Sequence, residues 1–551
     1  MISRRKVLLA GSVVMWQSLA ACRKAPGFRC GHPYSAEELE ALLRRGEPEH
    51  LMRERVRSCG IFALRPDSGL WLKRCGASDD LAGFLQNQRP RGETLAIVTM
   101  QGSTTIGQAA RPDGGRSLAE DLVRGWLVSV EKSTVPHASS DGQTTYVSAV
   151  MPDGCLQRIA ILALGTKYAF IGLRTNADIG LASRPILENE AAEFLRDGED
   201  MRSAACEKIL SLDAVAIVVS DNILATAMSR HQVRDIFRGA ITNWSAISGS
   251  GSSDPIRVVA RKQGAGTLDA FRESFMEFGG DRAGFTANAK YVDGSEDISE
   301  HMRTPGSIGF VSFVYSRNRG NPHAPRAVAI SDVDVQPGGR LVPLQPVLPA
   351  EDTIGTECYP GSRRVYAYVR SRSRNARAVK LVEFSVSEDG QRIAAEHGFI
   401  PQTLRVLRSS ERGVYADTIP NEQRLSINIH FRSNSNQLDS KAEADIERLV
   451  RYVGPLNRPK ITVVLRGHAD SYGSPAGNER LAMERCKTVH RTLAAVWPHN
   501  RIAVTSPSGD FASNHGSLTV ASHGYGYQFP IASNQYELGR YRNRRVEVSL
   551  I

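Results

Sequence analysis

The apolar and polar positions fall into blocks of different period. Arg4-Arg5-Lys6 precedes a short apolar run, Val7 to Ala20, too short for an ordinary membrane span. Ser35 with Glu38 reads as a capping box before a helix through Leu39, Leu42 and Leu43. From Thr94 strands alternate with helices. Leu95 to Met100 is an apolar strand that runs into Gly102-Ser103-Thr104-Thr105. Ser117 with Glu120 caps an amphipathic helix carrying Leu118, Leu122 and Trp126. Asp213 to Val219 is a near-continuous apolar strand, and Thr403 to Arg424 shows no clear period and reads as a linker. Near the C-terminus, the strand-like Ile461 to Leu465 is followed by a loop. A helix then carries the stripe Leu481, Ala482, Cys486, Val489 and Leu493. At ~100° per residue Arg485 lies inside that stripe.

At 551 residues the chain predicts about three or four domains, and 41% apolar content is ample for their cores. The net charge of +11 is spread along the chain with no aromatic-interleaved basic run, which argues against nucleic acid as the partner. The excess fits anionic envelope polymers, a lipid surface or a solvated exterior equally well. Of eight cysteines, Cys22 ends the apolar leader. The other seven are Cys30, Cys59, Cys75, Cys155, Cys206, Cys358 and Cys486, an odd number that leaves at least one unpaired within the chain. Cys59 and Cys75 flank a turn-rich piece and are candidates to bridge, whereas Cys486 on the helical stripe reads as a buried thiol. No C-x-x-C or H-E-x-x-H occurs, so neither a metal nor another cofactor is expected.

A guanidinium aimed at a core must meet an anion or bear a large desolvation cost. Asp470, in the loop before the helix, is the nearest acid in sequence. Together they suit a zwitterion, the acid taking an ammonium and the fork a carboxylate. The alternative is an internal salt bridge that fixes the loop. Gly467, Asp470, Gly473, Asn478, Leu481 and Arg485 are followed by Gly524-Tyr525-Gly526, Pro530, Asn534, Gly539-Arg540 and Asn543-Arg544-Arg545-Val546-Glu547. With Phe431 to Leu438 upstream, this ordered pattern resembles the OmpA-like C-terminal domain, an α+β fold, over residues 425–551. The resemblance implies binding of the diaminopimelate stem peptide of peptidoglycan at Asp470 and Arg485, with Asn478 supporting the loop. Two departures stand out: Ala469 where a hydroxyl residue is common, and a long polar segment from Thr505 to Leu518.

The loop at Ser103 and Thr104 could hold an anion on backbone N–H groups, but G-x-x-x-x-G-K-[ST] is absent. Asp178-Ile179-Gly180 with Ser183-Arg184-Pro185, Ile236-Phe237 with Gly239 and Ile241-Thr242-Asn243-Trp244, Gly264 to Thr267, Pro305 to Phe310, and Phe384 to Gln391 follow in order. They resemble the PstS-like periplasmic substrate-binding proteins over residues 94–402. The resemblance implies two α/β lobes joined by a hinge, crossing at Asp213 and returning near Ile308 to Val314. It also implies phosphate or another small oxyanion held by Ser103, Thr104, Ser183, Arg184, Gly266 and Thr267. The third loop departs from the family, carrying Ala265 and Leu268 where a serine and an arginine are common. Each missing charge-assisted hydrogen bond costs about 1.5–3 kcal/mol.

Leu19-Ala20-Ala21-Cys22 resembles a bacterial lipobox. That implies cleavage before Cys22, lipidation of its sulfur, and, with Arg23 rather than aspartate next, the outer membrane facing the periplasm. The expected organisation is therefore a signal peptide over 1–21, a preface of unassigned fold over 22–93, the two-lobed module over 94–402, a linker over 403–424 and the OmpA-like domain over 425–551. The expected protein is a peptidoglycan-bound lipoprotein carrying an oxyanion receptor. The alternatives are a phosphate ABC-transport receptor and a scaffold whose cleft has lost its ligand. With no G-x-S-x-G and no zinc-ligand spacing, an enzyme is not expected.

Overall fold

The computed structural model describes residues 33–34, 36–61, 72–88, 98–107, 115–140, 144–152, 156–263, 265–278, 284–316, 325–336, 340–373, 375–407, 421–432, 435–454, 461–497, 502–504 and 518–551. The leader with Cys22, Cys30, Ser35 of the expected capping box, Cys155, the middle of the linker and most of Thr505 to Leu518 lie outside them.

The chain forms two compact units, Met1–Val98 with Val123–Ala160, and Thr99–Leu122 with Ile161–Ile551. In the first, helices Ala36–Arg44, Glu49–Cys59 and Asp79–Gln86 bury Leu39, Met52, Val56, Leu81 and Leu85 together. Ser78 caps the third helix by accepting from Leu81 N at 3.0 Å, and its own N–H and hydroxyl donate to the Glu49 carboxylate. Cys59 is disulfide-bonded, and Cys75 is a free thiol. The expected Cys59–Cys75 bridge is therefore corrected.

In the second unit the elements that position the sites are, in chain order, β1 (Val98–Gly102), α1 (Thr104–Gly107), β2 (Ile179–Ala182), β3 (Glu207–Val219), β4 (Arg257–Arg261), α2 (Gly266–Phe271), β5 (Lys290–Val292), β6 (Ser307–Ser312), β7 (Val333–Gln336), β8 (Arg340–Pro343) and β9 (Ser362–Val369). β1 lies parallel to β2, β2 pairs antiparallel with β9, and β9 with the first half of β3. The second half of β3 pairs antiparallel with β6, which runs parallel to β4, and β4 to β5. One 13-residue strand thus serves the sheets of both lobes. Its near-continuous apolar run is what a strand covered on both faces requires. The return to the first lobe is corrected from Ile308–Val314 to β9, because β6 is enclosed between β3 and β4 in the second lobe. Phe271 and Phe310 stack at 4.0 Å in that lobe's core, with Leu268 buried beside them.

The C-terminal part adds β10 (Gln423–His430), α3 (Ser440–Val453), β11 (Ile461–Gly467), α4 (Pro475–Val496), β12 (Ile502–Val504), β13 (Leu518–Gly524), α5 (Glu537–Asn543) and β14 (Arg545–Leu550). The sheet order is β10-β14-β11-β13-β12, and Ile446, Leu449, Cys486, Val489 and Leu493 pack on it from α3 and α4. Cys486 is buried and free, as its place on the stripe predicts.

The two-lobed body meets the C-terminal domain at a seam of buried polar groups. Arg364 of β9 donates to Glu357 at 2.5 Å and to Asp439 at 2.8 Å, and Asp439 also accepts from Tyr541 at 2.6 Å. Burial alone would raise the Glu357 carboxyl; Arg364 and His430 overcome this and hold it well below the usual range. Arg542 donates to the carbonyls of Pro360 and Ser362, Asn428 to that of Thr356, and Ser440 Oγ to Glu207. Farther along, Asp332 and Asp334 accept from Ser533 and Asn534.

Candidate functional site

The end of β11 approaches α4 closely: a Cβ on Gly467 would lie 2.2 Å from the Ala482 carbonyl oxygen. Ser474 caps α4 by accepting from Gly477 N, and Pro475 takes the first turn, where a missing N–H costs nothing. This fixes the loop His468–Ser474 against the helix start. Arg485, only 1% exposed, donates Nη1 to the His468 carbonyl at 2.9 Å and lies over the Phe431 ring at 5.4 Å. Burial lowers its pKa to about 10 against the attraction of Asp470. Asp470 is buried too, but its direct bonds go elsewhere. Oδ1 accepts from Tyr472 N, and Oδ2 accepts from Arg544 Nη1, both at 3.0 Å.

The expected pair is therefore a triad of one acid and two guanidinium groups. The sequence reading missed Arg544, although it stands in the quoted Asn543-Arg544-Arg545 run. Arg544 also donates to Glu537 at 2.6 Å. Three buried donors have no hydrogen-bond partner: Arg485 Nε, Arg544 Nε and Asn478 Nδ2. Asn478 sits beneath the loop's turn at Gly473, whose φ of +98° suits glycine. Asn534 Oδ1 accepts from Ser471 N at 3.1 Å and from Asn543 Nδ2 at 2.9 Å, pinning the loop from the far side. Ala469 is buried, its N–H donating to the Gly526 carbonyl at 2.7 Å. Tyr472 stands 80% exposed at the rim. The His468 imidazole is held well below its ordinary pKa by burial and by Arg545, and so is neutral near pH 7.

In the two-lobed body, parallel β1 and β2 bring the loops after them side by side, with Gly102 opposite Leu181. Ser103 N donates to the Leu181 carbonyl at 2.7 Å, while its Oγ is buried without a partner. Thr104 begins α1. Ser183 joins Thr166 through a 3.0 Å hydroxyl contact and a backbone bond. Gly266 packs on the first loop, since an added Cβ would lie 2.3 Å from Thr105 Oγ1 and 3.5 Å from Thr104 Oγ1. Thr267, next along α2, is buried.

Arg184 donates both Nη atoms to Glu190 at 2.8 Å, so its guanidinium already has a carboxylate. Leu268 points into the core rather than toward the loops. A guanidinium reaches the third loop from another element. Arg363 of β9 donates Nη1 to the Gly266 carbonyl at 2.8 Å, and Nε and Nη2 to Asp213 at 3.0 and 2.6 Å. Asp269 and Glu273 stand exposed nearby, and the crowding of protein raises both carboxyls against the opposing fields of Arg363 and Arg184. The wall is thus mixed in charge. Among the described residues no three metal-ligating side chains converge, and no helix is long and apolar enough to cross a membrane.

Residues 153–389 match the PBP superfamily domain, and residues 430–544 match the OmpA family. The chain is similar to the phosphate-binding protein PstS of Borreliella burgdorferi, 20% identical over 265 residues that cover 47% of this chain and 88% of that protein. It is 28% identical over 231 residues to protein SphX of Synechococcus elongatus, covering 41% of this chain and 63% of that one. Over 129 residues it is 28% identical to outer membrane porin F of Pseudomonas fluorescens, covering 23% of this chain and 33% of the porin. Among solved structures, an ABC-type phosphate transport receptor from Vibrio cholerae aligns with a TM-score of 0.40 and 19% identity, over 55% of this chain and 99% of that one. The chain carries a two-lobed periplasmic-binding-protein-like fold followed by an OmpA domain. The matched families are families of binding proteins rather than enzymes.

Proposed function

We propose that this protein is a cell-envelope receptor fastened to peptidoglycan by its OmpA domain. Asp470 takes the ammonium of a diaminopimelate stem peptide, and Arg485 takes the carboxylate. Asn478 holds the loop. The observation that carries this reading is the set of three buried donors without hydrogen-bond partners, Arg485 Nε, Arg544 Nε and Asn478 Nδ2, on the two helical segments that flank the Asp470 loop. Buried donors without partners are costly, and an arriving carboxylate would satisfy them. Lipidation at Cys22 would add a membrane tether, with the outer membrane as the site. Sedimentation with purified peptidoglycan tests the reading. The wild type pellets with the wall, and Asp470→Ala and Arg485→Ala stay in solution. A folded double variant that pellets as well as the wild type overturns it.

The two-lobed module acts as a receptor for phosphate or a related oxyanion and carries out no catalysis. The unpartnered Ser103 Oγ, together with the packing of the first loop on Gly266, supports a retained ligand cleft over a bare scaffold. The similarity of the chain to PstS and SphX, the relatives named above, supports the same reading. Ser103, Thr104, Ser183, Gly266 and Thr267 line the site, and Arg184 lends charge while bound to Glu190. A soluble-type ABC-transport receptor is the competing role, and cell fractionation separates the two. Thermal unfolding of the full chain with phosphate at a hundred times its dissociation constant should show about 2.7 kcal/mol of added stability. No rise with phosphate, sulfate or another small oxyanion would leave the cleft a scaffold.

A further inference from the structure

The mouth around Asp470 is not completed by the OmpA domain alone. The two-lobed body sends Asp334, on the β7–β8 hairpin, into the segment that pins the Asp470 loop. Asp334 Oδ1 accepts from Asn534 N at 2.7 Å, and Oδ2 accepts from Asn534 Nδ2 at 3.0 Å. Asp332, just before β7, accepts from Ser533 N at 3.0 Å, and its charge is balanced by Arg230 at 3.0 Å. All four seam residues are buried, Asp334 at 3% exposure and Asn534 at 6%.

The chemistry of the Asn534 amide gives this contact direction. An asparagine amide has one accepting end and one donating end. With Nδ2 committed to the Asp334 carboxylate, Oδ1 must face the other way, where it accepts from Ser471 N and Asn543 Nδ2. Ser471 directly follows Asp470, and the next residue, Tyr472, donates its N–H to Asp470 Oδ1. A carboxylate suits the place because two acceptor oxygens meet two N–H donors, and charge-assisted bonds hold more firmly than neutral ones.

We infer that Asp334 is a positioning residue for the peptidoglycan mouth, supplied by the receptor module, which fixes the Asn534 amide and through it the Ser471 backbone beside Asp470. The inference rests on the wall-binding reading above. It makes the receptor module part of the wall-binding apparatus rather than cargo attached to it. Asp334 itself does not touch the ligand in this scheme.

Asp334→Asn in the full chain tests this. The substitution keeps the shape but turns an amide N–H₂ toward Asn534 Nδ2, so Asn534 must lose a bond on one side or the other. Binding to purified diaminopimelate-containing peptidoglycan should weaken about tenfold, the scale of one charge-assisted hydrogen bond. Ser440→Ala cuts a bond of the same seam at Glu207 without touching the segment around Asn534, and should pellet like the wild type. In a double-mutant cycle, Asp334→Asn should add little to the loss caused by Asn534→Ala, because both act through one amide.

A folded Asp334→Asn variant with wild-type binding, an equal loss in Ser440→Ala, or full additivity in the cycle would each overturn the positioning role. If Asp334→Asn and Asp334→Ala both fail to show a cooperative thermal transition, Asp334 is a folding residue and the role falls. A wild type that does not pellet at all removes the wall-binding reading, and this inference with it. Loss confined to the Asp334 comparisons leaves that reading intact.

Discussion

Asp470 is bonded to Arg544 and not to Arg485: Oδ2 accepts from Arg544 Nη1 at 3.0 Å, while Arg485 gives its Nη1 to a backbone carbonyl. Under the proposed wall-binding role, stability and ligand binding therefore rest on different partners of the same acid. Asp470→Ala strips a buried guanidinium of one of its two carboxylates and should cost about 2–4 kcal/mol, toward the lower end of a broken buried pair because Glu537 remains. Asp470→Asn keeps an acceptor for Tyr472 N and should cost less, yet lose peptidoglycan binding as fully. Thermal unfolding beside sedimentation separates the two effects.

His468 should make stability fall on the acid side. Its folded pKa is depressed by burial and by Arg545, with Arg424 and Arg466 adding and Glu547 opposing. The unfolded chain binds this proton more readily, so the contribution is fully present above about pH 6.5 and is lost as pH falls below it. One such site changes stability by up to about 1.4 kcal/mol per pH unit. His468→Gln should flatten the slope of melting temperature between pH 6.5 and 5. Part of the slope should remain, because burial also lowers His231 and His490.

Restoring a serine and an arginine to the third loop should have opposite effects. Ala265 occupies the cap position of α2 with extended backbone and no side-chain cap. Ala265→Ser should stabilise the protein by about 1 kcal/mol and add a hydroxyl beside Gly266. Leu268 is 1% exposed among phenylalanines, and Leu268→Arg should destabilise by roughly 3–5 kcal/mol without improving oxyanion binding. Melting curves with and without phosphate check both.

The seam should melt together with the domains it joins. Arg364→Ala leaves Glu357 and Asp439 facing each other's field, with His430 beside the one and Tyr541 and the Ala442 N–H bonded to the other. A loss of about 3–5 kcal/mol is expected. In calorimetry, the joint transition of the two-lobed body and OmpA domain should split into two. An unsplit transition would show that the remaining seam bonds, from Arg542, Asn428, Ser440, Asp332 and Asp334, suffice to couple them.

What the sequence revealed tracks how local each cause was. Arg485 was legible because a helical period reports which face a residue occupies, and the helix confirms it as buried. Arg544 was not, because its acid lies 74 residues away and no periodicity links them. Asp213 marks where β3 passes from one sheet to the other, but the strand begins at Glu207 rather than at Asp213, because Glu207, Lys208 and Ser211 interrupt the apolar run of its first half. The return strand is β9 rather than β6 because only the pairing of β9 with both β2 and β3 identifies it, and its Arg363 and Arg364 hide it among polar segments in the sequence. Leu268 stands where the family has an arginine, and only its packing with Phe271 and Phe310 shows that this side of α2 faces the core. The seam was invisible: Glu357, Arg364 and Asp439 are ordinary surface types until two distant segments close over them.

The sharing of β3 between two sheets also bears on how the chain reaches its fold. Asp213 pairs with Arg363, 150 residues later, and Glu207 with Tyr368. A chain made from its N-terminus exposes Glu207 to Ala214 well before β9 exists to close the first sheet. Such separations slow folding, and an unpaired apolar strand is the kind of segment that aggregates while it waits. The rate-limiting event should be the arrival of β9. The feature that joins the lobes is thus also the one that leaves the nascent chain longest in need of a chaperone.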